Sequence, residues 1–121
     1  MNNKIAAIYA LNELRVPNNT KGYLCLMFAI ELCLDDPLNL QRMFKQVYGP
    51  AGEKCGITPI NAERCMRYAI EKSIKAVDEK VATKYFGDKR KLKNSEFVAS
   101  IVYRLQIENQ VATKSRPDFT I

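Results

Sequence analysis

The stretch "CGITPINAERCMRYAIEKS", residues 55–73, combines a tight turn with a helix start and indicates most about the fold. Thr58 can cap a helix with its hydroxyl, and Pro59 suits the first helical position, where a missing N–H costs nothing. Helical spacing predicts one buried face and one cationic face over residues 59–77. The inward set is Ala62, Cys65, Met66, Ala69, Ile70 and Ser73, and the outward set is Arg64, Arg67, Tyr68, Glu71 and Lys75.

The rest of the chain is also predicted to be helical, because apolar residues recur at helical spacing and no segment alternates like a strand. The expected helices cover residues 3–15, 21–34, 37–48, 59–77, 79–86 and a last run that Asn94 can cap. The sequence therefore predicts a compact all-α bundle of about six helices. One domain is expected over residues 1–110, followed by a C-terminal tail at residues 111–121 that is frayed over its last residues, "KSRPDFTI".

Residues 52–75 favour a helix-turn-helix, with "CGIT" as the short turn that contains glycine. Small residues at Gly52, Gly56 and Ala62 would let the two helices cross closely. Gly49 and Pro50, together with Gly52, are expected to break the helix that precedes the turn. Many helical corners share this spacing, so the spacing alone does not identify a DNA-binding motif. The residues on the outer face of the second helix have to support the assignment.

Positive charge is concentrated in the same region of the sequence. The chain has a net charge of +6 and a pI of about 9.2. Between Lys54 and Lys93 there are eleven Lys or Arg and five Asp or Glu, and the remaining residues cancel. A solvated surface is one explanation, but charge segregated along a helix and loop is also typical of a site for a polyanion.

In a helix-turn-helix, the N-terminal half of the second helix enters the DNA major groove. Arg64 and Arg67 could each bind guanine O6 and N7, while Asn61 or Glu63 could meet adenine or cytosine, and Tyr68 a thymine methyl or a phosphate. The alternative is a solvated face with an intrahelical pair such as Arg67 with Glu71.

Phosphate contacts are predicted for basic residues outside the base-reading turns. A flexible connection can follow a phosphate backbone but holds side chains too loosely to read bases. The predicted phosphate set is Lys75, Lys89, Arg90, Lys91 and Lys93.

Other functional classes find little support in the sequence. The chain has no histidine, and its four cysteines, Cys25, Cys33, Cys55 and Cys65, show no C-x-x-C spacing, so neither a metal site nor a cofactor is expected. We favour core packing of these cysteines in a reducing cytoplasm over disulfides or redox chemistry. Motifs typical of enzymes do not occur, and the apolar runs are too short to span a bilayer. We expect a cytoplasmic protein that is neither an enzyme nor anchored to a membrane.

Four motifs in the same order resemble the C-terminal effector domains of the stage zero sporulation protein A family, over residues 5–109. They are "KGYLCL" at 21–26, "AERCMRYAIE" at 62–71, "YFG" at 85–87 and "NSEFVASI" at 94–101. The resemblance implies a six-helix DNA-binding transcriptional regulator of sporulation, whose fourth helix reads double-stranded DNA. It also implies tandem homodimers on DNA and contact with RNA polymerase holoenzyme, and it suggests Glu63, Arg64, Arg67 and Tyr68 as the residues that face DNA.

Two further expectations follow from the resemblance. The receiver domain of that family does not precede these helices, so we expect either a shortened chain or regulation other than phosphorylation. A protein-interaction or decoy module that keeps the fold without reading promoters is the main alternative, and it predicts weak DNA binding that is indifferent to sequence. A basic patch for anionic membranes is a third option, although the apolar side of the fourth helix carries small residues rather than Trp or Phe.

Overall fold

Helices and short turns make up residues 2–114, the part of the chain that the computed structural model describes. No strand occurs in these residues, so the predicted all-α class is confirmed. The α-helices of this part are α1 (Asn3–Glu13), α2 (Lys21–Asp35), α3 (Gly49–Cys55), α4 (Pro59–Ala76), α5 (Glu79–Phe86) and α6 (Asn94–Lys114). A 3-10 helix (Pro37–Arg42) and a π-helix (Met43–Tyr48) connect α2 to α3. The predicted tail at residues 111–121 starts within α6, and residues 115–121 lie outside the described residues.

Threonine caps determine where two of the helices begin, as predicted. The Thr20 hydroxyl accepts a hydrogen bond from the Tyr23 N–H at 3.1 Å, and the Thr58 hydroxyl accepts one from the Asn61 N–H at 3.1 Å. Pro59 follows the second cap in the first turn of α4. Each such cap satisfies an N–H that has no partner inside the helix, which stabilises the helix start by about 1 kcal/mol.

The central helix is α2, which packs against α1, α3, α4 and α6. Gly22 lies where α2 crosses α4, and a Cβ at this position would be 2.4 Å from the Cys65 carbonyl oxygen and 2.8 Å from the Ala69 Cβ. Both distances are shorter than van der Waals contact, so the crossing requires a residue without a side chain. Gly22 therefore fixes how closely α4 approaches the centre of the bundle.

A buried hydrogen bond joins α4 to the end of α1. The Ser73 hydroxyl, which is fully buried, donates to the Leu14 carbonyl oxygen at 2.7 Å. Leu14 is the residue that ends α1, where carbonyl groups lack partners inside the helix. The same hydrogen bond thus satisfies a buried hydroxyl and a helix end.

The segment between α2 and the turn differs from the single helix predicted from Pro37. A 3-10 helix runs to Arg42 and a π-helix to Tyr48, and α3 begins at Gly49. The predicted break at Gly49 and Pro50 is wrong. The chain stays helical from the π-helix into α3, since Tyr48 has helical φ and ψ and the Gly49 N–H donates to the Phe44 carbonyl oxygen. Pro50 lies in the first positions of α3, where proline is tolerated.

The turn between α3 and α4 depends on two glycines. The Ile57 N–H donates to the Gly52 carbonyl oxygen at 2.9 Å, and a Cβ on Gly52 would lie 2.9 Å from the Ile57 carbonyl oxygen. Gly56 has φ of +73°, the left-handed conformation that commonly ends helices. The expected interruption at Gly52 is wrong, because Gly52 lies inside α3. Its missing side chain lets the turn fold back closely onto this helix.

The sixth helix closes the core against α2 and α4. Phe97, Val98, Ile101 and Val102 are buried. The Phe97 ring lies 5.4 Å from the ring of Phe86 in α5, measured between centroids. This contact fixes α5 and the loop that follows it against the core.

Candidate nucleic-acid interface

The outer face of α4 carries the predicted base-reading residues. Ala62, Met66, Ala69, Ile70 and Ser73 are buried, and Cys65 is half-buried. Asn61, Arg64, Arg67 and Tyr68 are exposed, and Glu63 is half-buried. The division of α4 into one buried and one cationic face therefore agrees with the sequence analysis.

One ion pair lies along this face. The Arg67 Nε donates to the Glu63 Oε1 at 3.1 Å, one turn earlier, and the guanidinium carbon lies 5.7 Å from the centre of the Tyr68 ring. The pair suggested with Glu71 does not form. Since the Arg67 side chain remains 49% exposed, its ion pair is a weak surface contact, and the guanidinium can turn to a new partner at little cost.

Arg64 has no such partner. Among the described residues its side chain, exposed in the N-terminal half of α4, makes no hydrogen bond, ion pair or ring contact. An arginine on a helix surface that pairs with nothing keeps all five N–H donors in water. Its guanidinium is thus available for a bidentate acceptor such as a guanine edge.

The basic loop, residues 87–93, is more ordered than predicted. Lys89 forms an ion pair with Glu96 of α6. The Arg90 guanidinium donates to Glu79 at 2.5 Å, to the Thr83 hydroxyl at 3.1 Å and to two backbone carbonyls, of Gly87 and Lys89. These contacts tie the loop to α5 and α6, so two of its four basic residues have internal partners.

Glu96 connects the loop to the start of α6. Its other carboxylate oxygen accepts the Lys93 N–H at 2.8 Å. The hydrogen bond from Lys89, followed by that from the Lys93 backbone, lowers the pKa of Glu96 below its ordinary value. The side chains of Lys91 and Lys93 are exposed and make no hydrogen bond or ion pair within the described residues. These two lysines therefore supply most of the available positive charge of the loop.

A groove of about 790 Å³ separates the second half of α4 from the basic loop. Ile70, Ile74 and Leu92 provide its apolar lining. The charged residues that line it are Arg67, Glu71, Lys75, Lys89, Arg90, Lys91, Lys93 and Glu96. The structure therefore brings the whole predicted phosphate set, from Lys75 to Lys93, around one groove beside the outer face of α4.

Three further residues lie beside the predicted site, and the sequence analysis did not select them. Lys21 and Lys72 line a smaller groove on the other side of α4, next to Tyr68. Ile60, in the first turn of α4, is 58% exposed and could meet a thymine methyl. The positions of Ile60 and Lys72 on α4 follow from helical spacing. That of Lys21 does not, because it depends on how α2 crosses α4.

Asn94 also has a role that the sequence did not indicate. We predicted that it caps α6, but its side-chain amide donates to the Glu63 carbonyl oxygen at 3.1 Å and to the Tyr48 hydroxyl at 3.2 Å. Asn94 is only 7% exposed. Asn94 links the first residue of α6 to the backbone of α4 at Glu63, and so holds the start of α6 in a fixed position relative to α4.

The described part of the chain contains neither a candidate metal site nor a candidate membrane-spanning helix. No group of three or more potential metal-ligating side chains comes together among its residues. No described helix combines the length and apolar character needed to cross a membrane.

The short turn between α3 and α4, with the cationic outer face of α4, defines an all-α helix-turn-helix domain of the nucleic-acid-binding class. A family model described as "Sporulation initiation factor Spo0A C terminal" matches residues 7–105. The chain belongs to this family. Membership implies DNA binding, transcription regulation and sporulation, and it agrees with the resemblance found in the sequence.

Proposed function

We propose that this domain is a sequence-specific transcriptional regulator that places the N-terminal half of α4 in the DNA major groove. The observation that carries the proposal is Arg64, exposed in the N-terminal half of α4 without a partner among the described residues. Asn61, Arg67 and Tyr68 are exposed on the same helix, so base edges over about two helical turns come within reach. Glu63 would hold Arg67 in position or accept from a cytosine.

Phosphate contacts on both sides of α4 would fix the helix in the groove. Lys75, Lys91 and Lys93 lie on the side of the basic loop, and Lys21 and Lys72 on the opposite side. Lys89 and Arg90 contribute mainly by holding the loop in shape, because their charged groups already have partners. This arrangement separates affinity, supplied by lysines, from base specificity, supplied by α4.

The proposal includes two partners that the family resemblance implies. Two copies of the domain would bind tandem DNA sites side by side, and the bound domain would contact RNA polymerase holoenzyme. Footprint length on a selected operator tests the first, since a dimer protects two adjacent elements. Transcription from that operator with purified holoenzyme tests the second.

The test of sequence-specific binding starts from a pool of random duplexes, because no operator has to be assumed. Repeated selection with the wild-type protein should enrich one short motif, and the enriched duplex should bind about a thousand times more tightly than shuffled DNA. Titrations at several salt concentrations separate the specific and electrostatic parts of the affinity. If no motif is enriched and all duplexes bind alike, the domain keeps the fold without reading promoters, and the decoy alternative holds.

A further inference from the structure

Two cysteines that are thirty residues apart in the sequence meet where α2 packs on α3. Cys25 lies in α2, and Cys55 is the last residue of α3. Their sulfur atoms are 3.3 Å apart, and the Cys25 thiol donates to the Cys55 sulfur. A disulfide needs sulfur atoms about 2.05 Å apart, so a shift of little more than 1 Å would allow the bond.

The two thiols differ in their access to solvent. Cys25 is fully buried, whereas Cys55 is half-buried. Burial, and to a lesser extent the contact with Cys55, raises the pKa of Cys25 well above its ordinary value. Cys55 is therefore the thiol that a small oxidant in solution reaches first, and Cys25 is shielded from it.

The position of Cys55 at a helix end allows the small movement that bonding requires. Gly56 follows it in the left-handed conformation, and no atom beyond its own chain neighbours lies within 4 Å of where a Gly56 Cβ would be. The end of α3 thus has open space on one side. A residue in the middle of a packed helix would not have this freedom.

We propose that Cys25 and Cys55 form a modification site, an oxidisable thiol pair that a hydroperoxide converts into a disulfide joining α2 to α3. The Cys55 thiol gives up its proton and the resulting thiolate attacks one peroxide oxygen, the O–O bond breaks, Cys55 becomes a sulfenic acid, and the leaving hydroxide takes up that proton as water. The Cys25 sulfur then attacks the sulfenic sulfur, the S–O bond breaks, and a second water carries away the hydroxyl with the Cys25 proton. Two thiols are oxidised and one hydrogen peroxide is reduced to two waters.

The disulfide would close a loop of about thirty residues and so reduce the conformational freedom of the unfolded chain. It would also attach the helix that leads into the α3–α4 turn to the centre of the bundle. The sequence analysis favoured reduced cysteines used for packing. That remains the resting state of the pair, and peroxide changes it.

The experiment treats the reduced full-length chain with hydrogen peroxide under native conditions, alkylates the remaining thiols, and maps the products by mass spectrometry. We expect a loss of two hydrogen atoms and one cross-linked peptide pair that contains Cys25 and Cys55. Dithiothreitol should reverse both changes. The oxidised protein should unfold at a temperature several degrees higher than the reduced protein.

Three variants make the result decisive. Cys65→Ser and Cys33→Ala should still form the bond, since neither removes a member of the pair. Cys55→Ser should form no intramolecular disulfide. A bond between Cys55 and Cys65, a bond that forms only in denaturant, or oxidation of Cys55 to a sulfinic acid with Cys25 still reduced would each overturn the proposal. None of these outcomes depends on whether the domain binds DNA.

Discussion

The outer face of α4 and the basic loop carry the same sign of charge but are held in place by different forces. Backbone contacts with the core position α4, through the close crossing at Gly22 and the hydrogen bond from Asn94 to the Glu63 carbonyl. Exposed ion pairs, Lys89 with Glu96 and Arg90 with Glu79, position much of the loop. Exposed ion pairs contribute little and weaken in salt, whereas close packing does not.

The comparison shows that counting the basic residues of a segment overestimates the positive charge available to a ligand, because some of these residues are already paired with acidic side chains. The loop contains four basic residues, and two of them have acidic partners within the domain. In α4, Arg64 has no acidic partner among the described residues, and Arg67 has only the half-exposed Glu63. Four predictions test this difference, and the largest effect concerns how α4 is held.

The first prediction is that Gly22→Ala destabilises the domain by about 1 to 3 kcal/mol, because the added Cβ meets the Cys65 carbonyl oxygen at 2.4 Å. Helix propensity alone would favour alanine by about 1 kcal/mol, so the clash must reverse the sign. Urea denaturation measures the free energy of unfolding. The control is Gly49→Ala, where the nearest atom would be 3.5 Å away and no loss is expected. Equal stability of the two variants would show that α4 can move away from α2.

The second prediction is that Arg64→Ala weakens binding to the selected operator by about 1 to 3 kcal/mol and changes binding to random DNA much less. The control is Arg42→Ala, which removes another exposed arginine, from the 3-10 helix. Arg67→Ala should behave like Arg64→Ala, since the loss of its weak pair with Glu63 costs little. Equal losses on operator and random DNA would move Arg64 from base reading to phosphate binding.

The third prediction separates two adjacent loop residues. Lys91→Ala should flatten the slope of log affinity against log salt by about one unit on both operator and random DNA, because it removes one phosphate contact. Arg90→Ala should change the slope less and lower stability by up to about 1 kcal/mol, since its guanidinium holds the loop to α5. A larger slope change for Arg90→Ala would mean that this arginine leaves Glu79 when DNA binds.

The fourth prediction concerns acid and has the smallest effect. The partners of Glu96 lower its pKa in the folded state, so its contribution is complete above the pKa of an unfolded glutamate, about 4.3, and is lost as pH falls through the lower folded value. Glu96→Gln should therefore be slightly less stable than the wild type at neutral pH, and the difference should vanish in acid. Thermal unfolding between neutral and acidic pH measures this, with Glu53→Gln, an exposed glutamate on α3, as control. A difference that is constant with pH would mean that the charge of Glu96 is not involved.

Local patterns in the sequence were sufficient for most of the fold. Caps at Thr20 and Thr58 and the spacing of apolar residues in α4 and α6 depend on neighbours within a few positions, so they could be predicted. The prediction for Pro50 was wrong because proline disrupts the interior of a helix but is tolerated in its first turn. The sequence alone did not show in which of these two positions Pro50 lies.

The candidate site was only partly predictable, because several of its contacts join distant parts of the chain. The outward positions of Arg64 and Arg67 follow from helical spacing alone. The partner of Arg90 is eleven residues earlier, and Asn94 reaches a carbonyl thirty-one residues away. No local pattern indicates such contacts, because they depend on how whole helices pack.

The hydrogen bond between Ser73 and Leu14 has a consequence for how the chain folds. It joins residues fifty-nine positions apart, and it is fully buried. During synthesis, the end of α1 therefore remains without this partner until α4 has left the ribosome. Contacts of such long sequence separation form late, because closing the intervening chain costs entropy before any contact compensates for it. The N-terminal helices should consequently stay loosely associated in a nascent chain until α4 docks, so that the final packing of the first helix depends on a helix that is made well after it.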